Sequence, residues 1–213
     1  MTTDLLNVLR ITAPVTNLGY GRRIALWVAG CSIGCPGCCS KDTWTAKGRP
    51  MDVAQVARLI EKLASKHTPI DGLTISGGEP TESSLALCSL IEALRGVAPD
   101  WDVLMYSGLP WRRLKNRFAK LVELCDAVVP EPFVQNRPSA HPLLGSGNQS
   151  IRCITPKAEK RYGGFATATA LPLEASIRPD GVSFSGVPKA GDLDRFTAAL
   201  ARRGITVDST SWS

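Results

Sequence analysis

Three cysteines lie close together near the start of the chain, in the stretch Cys31-Ser32-Ile33-Gly34-Cys35-Pro36-Gly37-Cys38. Cysteine thiolates of this kind bind an iron–sulfur cluster or a zinc ion. A four-iron cluster normally takes four thiolates, so three on one loop would leave one iron without a protein ligand. A structural zinc ion takes four protein ligands, and the fourth would have to be the adjacent Cys39 or the distant His67 or His141. The spacing favours iron–sulfur, and zinc stays open as the alternative.

A second loop of chemical interest is Ser76-Gly77-Gly78-Glu79-Pro80. Two glycines allow the backbone to approach a ligand closely, and a carboxylate beside them can accept a hydrogen bond from an ammonium group. Pro80 favours the start of a helix directly after the loop. Gly-Gly turns are common, so the loop gains weight only because it lies one predicted helix and one predicted strand after the cysteines.

The elements around these loops alternate between strand and helix. Short apolar runs predict strands at 24–28, 73–76, 103–106, 127–129 and 151–154, and helical spacing predicts a helix at 52–65, another with Thr81 as its N-cap, and a third over 114–122. This alternation predicts an α/β fold with a parallel sheet, in which ligand sites lie at the carboxyl ends of the strands. Both loops follow strands, in agreement with that rule.

The second half of the chain has a different pattern. Residues 135–149 are rich in Pro, Ser, Gly and Asn and predict a functional or mobile loop. Pro179-Asp180-Gly181 between two apolar runs predicts a β-hairpin, and the spacing of Leu193, Phe196 and Leu200 predicts a helix that ends near Gly204. We therefore expect a core at 1–156 and an extension of hairpin plus helix at 157–213, packed on that core.

The composition and charge of the chain argue against nucleic-acid-binding, membrane and secreted proteins. The net charge is +6, but the basic residues are scattered, which favours a solvated basic surface over nucleic-acid binding. No apolar run is long enough for a membrane helix, and the start of the chain lacks a signal-peptide pattern. Seven cysteines, an odd number, fit a disulfide framework poorly, so we expect a reducing, cytoplasmic location and metal chemistry. We expect Cys88, Cys125 and Cys153 to be core residues.

The motifs together resemble the radical S-adenosylmethionine (SAM) superfamily, and most closely the small activating enzymes of glycyl-radical proteins, in particular the anaerobic ribonucleotide reductase activases. The cysteine loop and the Gly-Gly-Glu loop are specific to the superfamily. The finer likeness runs over roughly residues 8–154 and is carried by Gly19-Tyr20-Gly21-Arg22-Arg23, Trp27-Val28-Ala29-Gly30-Cys31, Pro36-Gly37-Cys38, Lys41-Asp42-Thr43-Trp44, Tyr106-Ser107-Gly108 and Gly145-Ser146-Gly147-Asn148-Gln149.

The resemblance implies a partial (β/α) barrel, a 4Fe–4S cluster and SAM as cofactors. It implies reductive cleavage of SAM to a 5′-deoxyadenosyl radical that abstracts a hydrogen atom, with no catalytic side chain beyond cluster and cofactor. The partner implied is a glycyl-radical protein, and the electron donor reduced flavodoxin or ferredoxin. The site residues implied are the metal ligands Cys31, Cys35 and Cys38 and the SAM-binding residues Gly77, Gly78, Glu79, Pro80, Ser107 and Asn148.

Several departures from the activase pattern bear on the substrate. The family has Val-Asp-Gly-Pro-Phe where this chain has Val129-Pro130-Glu131-Pro132-Phe133, and Leu144 and Ser150 stand where activases often carry arginines. The extension after residue 157 is absent from the shortest activases. An enzyme that acts directly on a small molecule or peptide is therefore the alternative function, and a non-catalytic metal-binding module is a third.

Overall fold

The computed structural model describes residues 5–45, 48–164, 171–178 and 181–212. These residues form a seven-stranded sheet, covering helices and a separate two-stranded hairpin. The strands are β1 (Leu5–Val15), β2 (Arg23–Val28), β3 (Arg49–Asp52), β4 (Gly72–Gly77), β5 (Asp102–Tyr106), β6 (Ala127–Val129), β7 (Arg152–Cys153), β8 (Glu174–Arg178) and β9 (Gly181–Ser185). The helices are α1 (Val53–Lys66), α2 (Ser84–Val97), α3 (Trp111–Arg117), α4 (Ala119–Leu124), α5 (Pro156–Tyr162) and α6 (Asp192–Ala201).

The middle of the large sheet is parallel. The strand order is β3-β1-β2-β4-β5-β6-β7, and the neighbours β2, β4, β5 and β6 pair in parallel. All six residues of β2 are buried, as expected for a strand covered on both faces. The predicted α/β class with a mostly parallel sheet is confirmed, and the partial-barrel geometry stays a prediction.

The margins of the sheet differ from the fully parallel prediction. Strand β1, which the apolar-run argument did not predict, pairs antiparallel with both β2 and β3. At the other margin the predicted strand at 151–154 is only Arg152–Cys153, and it pairs antiparallel with β6. Antiparallel pairing at the margins follows from the connections, since β1 reaches β2 directly and β6 reaches β7 without a crossover helix.

Two helix predictions need correction. Thr81 is not the N-cap of α2: it lies in a short 3-10 turn, Pro80–Ser83, and Ser83 precedes the helix. The Thr81 hydroxyl instead donates to the buried carboxylate of Glu79, two residues earlier, at 2.8 Å, so a local bond takes the place of capping. The single helix expected over 114–122 is two short helices, because the backbone leaves helical geometry at Phe118.

A buried ion pair joins the amino ends of three parallel strands. Arg23 and Asp102 are fully buried, and the guanidinium donates to both carboxylate oxygens at 2.9 and 3.1 Å, to the Thr74 hydroxyl at 2.6 Å and to the Leu73 carbonyl at 2.7 Å. The Tyr162 hydroxyl donates to the same carboxylate at 2.7 Å, and Arg161 is a second ion-pair partner. Burial alone would raise the pKa of Asp102, but the charge and hydrogen bonds of Arg23 outweigh it and lower that pKa.

Part of the second face of the sheet is contacted by the segment after residue 171. In β2, Ile24, Leu26 and Val28 face the core under α1 and α2, whereas Ala25 and Trp27 belong to a small cluster on the other side that Val187 joins. The predicted hairpin is confirmed as β8 and β9, with Pro179 and Asp180 of its predicted turn outside the described residues. The predicted helix is α6, and the division into 1–156 and 157–213 stays a prediction. Among the described residues no helix is long and apolar enough to cross a membrane.

Candidate active site

The carboxyl ends of β2, β4, β5 and β6 lie along one edge of the sheet, and each is followed by a loop that the sequence singled out. The cysteine loop follows β2, the Gly-Gly-Glu loop follows β4, Ser107 follows β5, and Pro130–Phe133 follows β6. Parallel strands bring such loops together by their direction alone. The site is therefore built from four segments that are distant in sequence.

The cysteine loop is a tightly wound segment with its thiols half-buried. Gly34 and Gly37 have φ values of +60° and +74°, which side chains other than glycine rarely adopt, and they turn the chain so that Cys31, Cys35 and Cys38 share one region. Burial is the largest cause of the raised pKa of Cys35, the backbone amide of Phe133 opposes it, and the neighbouring thiols Cys38 and Cys31 add to it. The Ser40 amide donates to the Cys38 sulfur at 3.4 Å.

The cysteine loop offers three thiols with backbone amides beside them, the donors that an iron–sulfur cluster uses. Among the described residues, no three His, Cys, Asp or Glu side chains converge closely enough to hold one metal ion. A cluster presents a separate iron to each thiolate and accepts backbone N–H donors on its sulfurs, which the Phe133 and Ser40 amides provide. The adjacent Cys39 has its Sγ 3.8 Å from the Ser40 Oγ, and burial raises the pKa of its thiol to about 11.

The Gly-Gly-Glu loop is hydrogen-bonded directly to the start of the cysteine loop. The Gly78 amide donates to the Val28 carbonyl at 2.8 Å, and the Glu79 amide donates to the Gly30 carbonyl at 2.7 Å. A side chain at Gly77 would meet the Val28 nitrogen at 2.6 Å, and one at Gly78 would overlap the Gly30 carbonyl oxygen. Both glycines are therefore required by the close approach of two backbones, whatever else they bind.

The Glu79 carboxylate is buried, 3% exposed, and satisfied by this chain's own donors. Oε1 accepts from the Thr81 hydroxyl and the Ser107 hydroxyl, both at 2.8 Å, and Oε2 accepts from the Gly108 amide at 2.8 Å. It thus ties the loop after β4 to the loop after β5. A direct bond from Glu79 or Ser107 to SAM stays a prediction, and the structure adds this tie as a role that sequence reasoning missed.

Two further residues support the site: Glu82, which sequence reasoning missed, and Gln149, which was named only through the resemblance. The Glu82 carboxylate accepts from the Ser32 amide at 2.6 Å and so holds the cysteine loop between its first two cysteines. Gln149 accepts from the Gly145 amide at 2.9 Å and donates to the Glu131 carbonyl at 2.9 Å, which fixes the 145–149 turn on the loop after β6. Only the resemblance gave any signal for Gln149, and no sequence pattern marked Glu82.

Asn148, expected to bind SAM, has one half of its amide engaged. Its Nδ2 donates to the Pro132 carbonyl at 2.8 Å, whereas its Oδ1 is buried with no hydrogen-bond partner among the described residues. A buried acceptor without a donor is costly and is typical of a site completed by a ligand. The binding of SAM by Asn148 stays a prediction.

A cavity of about 1210 Å³ lies beside these loops. Its walls include Gly37–Ser40 from the cysteine loop, Ser76 and Gly77 from the end of β4, and Tyr106, Phe133 and Gln149. Its opposite wall is the C-terminal extension, including Phe184, Phe196 and Trp212, whose rings lie 5.7 to 6.4 Å apart. The cavity exceeds the roughly 300–1,000 Å³ of typical small-molecule pockets, so it has room for a cofactor and a second group.

The extension is fastened to the core around this cavity. The Ser211 hydroxyl donates to the Cys39 carbonyl at 2.9 Å, and the Lys41 amide donates to the Ser211 carbonyl at 2.6 Å. On another side, the Lys189 ammonium donates to the carbonyls of His141 and Leu144 at 2.7 and 2.8 Å. The segment that differs most from a minimal activase is therefore bonded to the cysteine loop itself.

Replacing Gly78 by alanine is expected to separate the two loops and to weaken SAM binding at least tenfold, because the new Cβ overlaps the backbone at Gly30. Equilibrium binding of SAM to the cluster-loaded protein measures this. Gly96→Ala is the matched control: it lies in α2 with no atom within 4 Å of the added methyl group, and we expect it to leave binding unchanged. Equal affinities for both variants would contradict the proposed coupling of the loops.

The replacement of the family's Asp-Gly by Pro130-Glu131 has a local structural account. Glu131 has a φ of +83°, the left-handed conformation that glycine adopts at no cost. Its side chain offsets the strain, since Oε1 accepts from the Trp111 amide at the start of α3 at 3.0 Å. Nothing in the structure explains the choice of proline at position 130.

This account predicts which of two variants at position 131 has the higher free energy of unfolding. Glu131→Ala keeps the strained backbone and loses the bond to Trp111, so we expect it to lower the free energy of unfolding by about 1–2 kcal/mol. Glu131→Gly loses the same bond but removes the strain, so we expect a smaller loss. Urea unfolding measures both, and a glycine variant less stable than the alanine variant would refute the strain argument.

Comparison with known proteins agrees with the site. Residues 17–152 match the family described as a 4Fe-4S single cluster domain. The anaerobic ribonucleoside-triphosphate reductase-activating protein of Escherichia coli K12 is 29% identical over 137 residues, which cover 62% of this chain and 89% of that protein. Proteins of the same name from Pasteurella multocida (29% over 145 residues, 64% and 90%) and phage T4 (26% over 136 residues, 62% and 85%) are also similar. The matched range contains all three loop cysteines and the Gly-Gly-Glu loop, and the chain belongs to the 4Fe-4S single cluster domain family.

Proposed function

We propose that this chain is a radical SAM enzyme that activates a glycyl-radical protein of the anaerobic ribonucleotide reductase type. The observation that carries the proposal is the hydrogen-bonded junction of the two motif loops. A three-cysteine loop and a Gly-Gly-Glu loop are held together at the carboxyl edge of a parallel sheet, beside one large cavity. The names of the similar proteins support the activase role.

Cys31, Cys35 and Cys38 would hold a 4Fe–4S cluster with one iron left for SAM. Gly77, Gly78, Glu79 and Pro80 would cradle the methionine end, and Ser107 and Asn148 would complete the cofactor site. When bound and reduced by one electron, cluster and SAM supply a 5′-deoxyadenosyl radical that abstracts a hydrogen atom from the substrate. A partial barrel formed by residues 1–156 would provide this site.

The side chains of this enzyme position the site loops and shield the cavity, and they do not react themselves. The Glu79 carboxylate fixes the loops after β4 and β5 relative to each other, and Glu82 fixes the cysteine loop through Ser32. The aromatic wall of Phe184, Phe196 and Trp212 excludes water from one side of the cavity. Exclusion of water matters here because a primary carbon radical must reach only its intended hydrogen.

The proposal is tested by anaerobic reconstitution with iron and sulfide, followed by reduction in the presence of SAM. We expect methionine and 5′-deoxyadenosine, and in the presence of the glycyl-radical reductase encoded in the same genome, the electron spin resonance signal of a glycyl radical. Deoxyadenosine without a glycyl radical, but with consumption of an added small molecule or peptide, would replace the activase role by the direct-enzyme alternative. A reconstituted cluster that yields no deoxyadenosine would refute both.

A further inference from the structure

Helix α3 carries a concentrated positive charge. Its seven residues, Trp-Arg-Arg-Leu-Lys-Asn-Arg, contain four cations and no acidic residue. Leu114 is fully buried and fixes the helix to the core. The cations are on the solvent side and are exposed: Arg112, Arg113, Lys115 and Arg117.

None of these four charges is paired with an acidic side chain of the described residues, although Arg117 lies 5.8 Å from the Phe118 ring. Among the described side chains no carboxylate lies within 4 Å of any of the four, whereas Lys120 on the next helix pairs with Glu92 at 2.9 Å. The carboxylate of Glu131 accepts from the Trp111 backbone amide at the start of α3 and is paired with none of the four cations. Arg112 and Arg113 lie in the first helical turn, where the helix dipole disfavours positive charge, whereas Lys115 and Arg117 lie in the last turn, where it favours positive charge. Uncompensated charges that oppose local stability are typical of a binding surface.

The helix begins next to the cysteine loop. Ile33, between the first two cysteines, packs so closely on Gly108 that a Cβ there would lie 2.6 Å from its Cδ1. Gly108 is followed by Leu109, Pro110 and the first residue of α3. Arg152 adds a further cation, 5.8 Å from the Trp111 ring. The positive surface thus adjoins the cluster-binding loop.

This surface is separate from the cavity. The described residues that line the cavity include Gly37–Ser40 of the cysteine loop, but neither Ile33 nor any residue of α3. A protein bound at α3 would therefore reach the cysteine loop without competing with a substrate in the cavity. That arrangement suits a partner that exchanges electrons and no atoms.

We propose that α3, together with Arg152, is the docking surface for an acidic one-electron donor protein. The proposal rests on the proposed function, in which the donor gives up one electron and the cluster gains it, with no bond made or broken between the proteins. Opposite charge at the two surfaces raises the association rate and orients the donor toward the cysteine loop. Salt must then slow the reaction by screening.

The test compares the triple variant Arg112→Gln, Arg113→Gln, Arg117→Gln with a control that removes the same charge from α1: Arg58→Gln, Lys62→Gln, Lys66→Gln. The control positions are also exposed. The probe is acidic flavodoxin, photoreduced, and the readout is the rate of bleaching of the reconstituted cluster in anaerobic stopped flow. We expect a rate at least roughly tenfold lower for the α3 variant at low salt and an unchanged rate for the control. Added salt should bring the wild-type rate close to that of the variant.

Reduction by dithionite, a small reductant that needs no docking surface, should be equal in all three proteins. An α3 variant that accepts electrons from flavodoxin at the wild-type rate, or a control that loses rate equally, would overturn the docking proposal. Failure to form deoxyadenosine after dithionite reduction would count against the proposed function instead, because cluster bleaching by flavodoxin is measured without SAM.

Discussion

Replacing Cys35 by alanine is expected to abolish retention of the iron–sulfur cluster. Cys31, Cys35 and Cys38 are the three proposed ligands, and two remaining thiolates cannot hold a cubane that already lacks a fourth protein ligand. Iron content and visible absorbance after anaerobic reconstitution measure the loss. SAM-dependent deoxyadenosine formation should fall to background in the same sample.

The adjacent Cys39 provides the matched control. It directly follows Cys38, two adjacent thiols cannot easily point into one site, and its Sγ lies 3.8 Å from the Ser40 Oγ, so Cys39→Ala should keep the cluster. The apo forms of both variants should unfold at nearly the same urea concentration as the apo wild type, which separates ligand loss from misfolding. A Cys35→Ala protein that keeps full iron, or a Cys39→Ala protein that loses it, would contradict the ligand assignment.

Replacing Asp102 by asparagine is expected to lower the free energy of unfolding by about 3–5 kcal/mol, because it leaves the fully buried guanidinium of Arg23 without a counter-charge. The substitution also weakens the attachment of α5, since Asp102 accepts hydrogen bonds from Tyr162 and Arg161 of that helix. Urea unfolding monitored by circular dichroism measures the change. Glu92→Gln is the control, since it removes an exposed ion pair with Lys120 and should hardly change the unfolding midpoint.

The same carboxylate makes stability depend on pH in a defined direction. Burial would raise the pKa of Asp102, but Arg23 and the hydrogen bonds lower it below the ordinary value of about 3.9. A lowered native pKa means that the stabilisation is complete above the unfolded-state pKa and is lost as the pH falls through the native one. Wild-type stability should therefore fall steeply below about pH 4, and the asparagine variant should lack this component. Parallel acid dependence in both proteins would show that other carboxylates control acid unfolding.

The parallel core was predictable because its strands are short, continuous apolar runs. Ile24 to Val28 is buried on both faces, so apolarity alone marks it. Strand β1 was not predicted, because its middle residues are half-buried and include Arg10 and Thr12, which interrupt the apolar pattern. These residues form a strand because β1 pairs with β2 and β3. That pairing joins segments distant in sequence, so a short stretch of sequence does not predict it.

The two motif loops of the site could be predicted from the sequence, but the side chains that hold these loops in place could not. Cysteine spacing and paired glycines carry their chemistry in residue type, so both loops were located from sequence. The bonds of Glu82 to Ser32 and of Glu79 to Ser107 join segments that meet only in the folded sheet. Glutamate is common on surfaces, and nothing in its neighbours along the chain distinguishes a support from a solvated charge.

Hydrogen exchange at the Lys41 amide can report motion of the cavity wall, because this amide donates a hydrogen bond to the Ser211 carbonyl. This amide is bonded to a segment about 170 residues away in sequence, as is the Cys39 carbonyl, which accepts from the Ser211 hydroxyl across 172 positions. Its exchange with deuterium therefore requires residues near Ser211 to detach, whereas amides inside β2 require the sheet to open. The ratio of these two exchange rates would measure how often the segment around Ser211 detaches from the cysteine loop while the core remains folded.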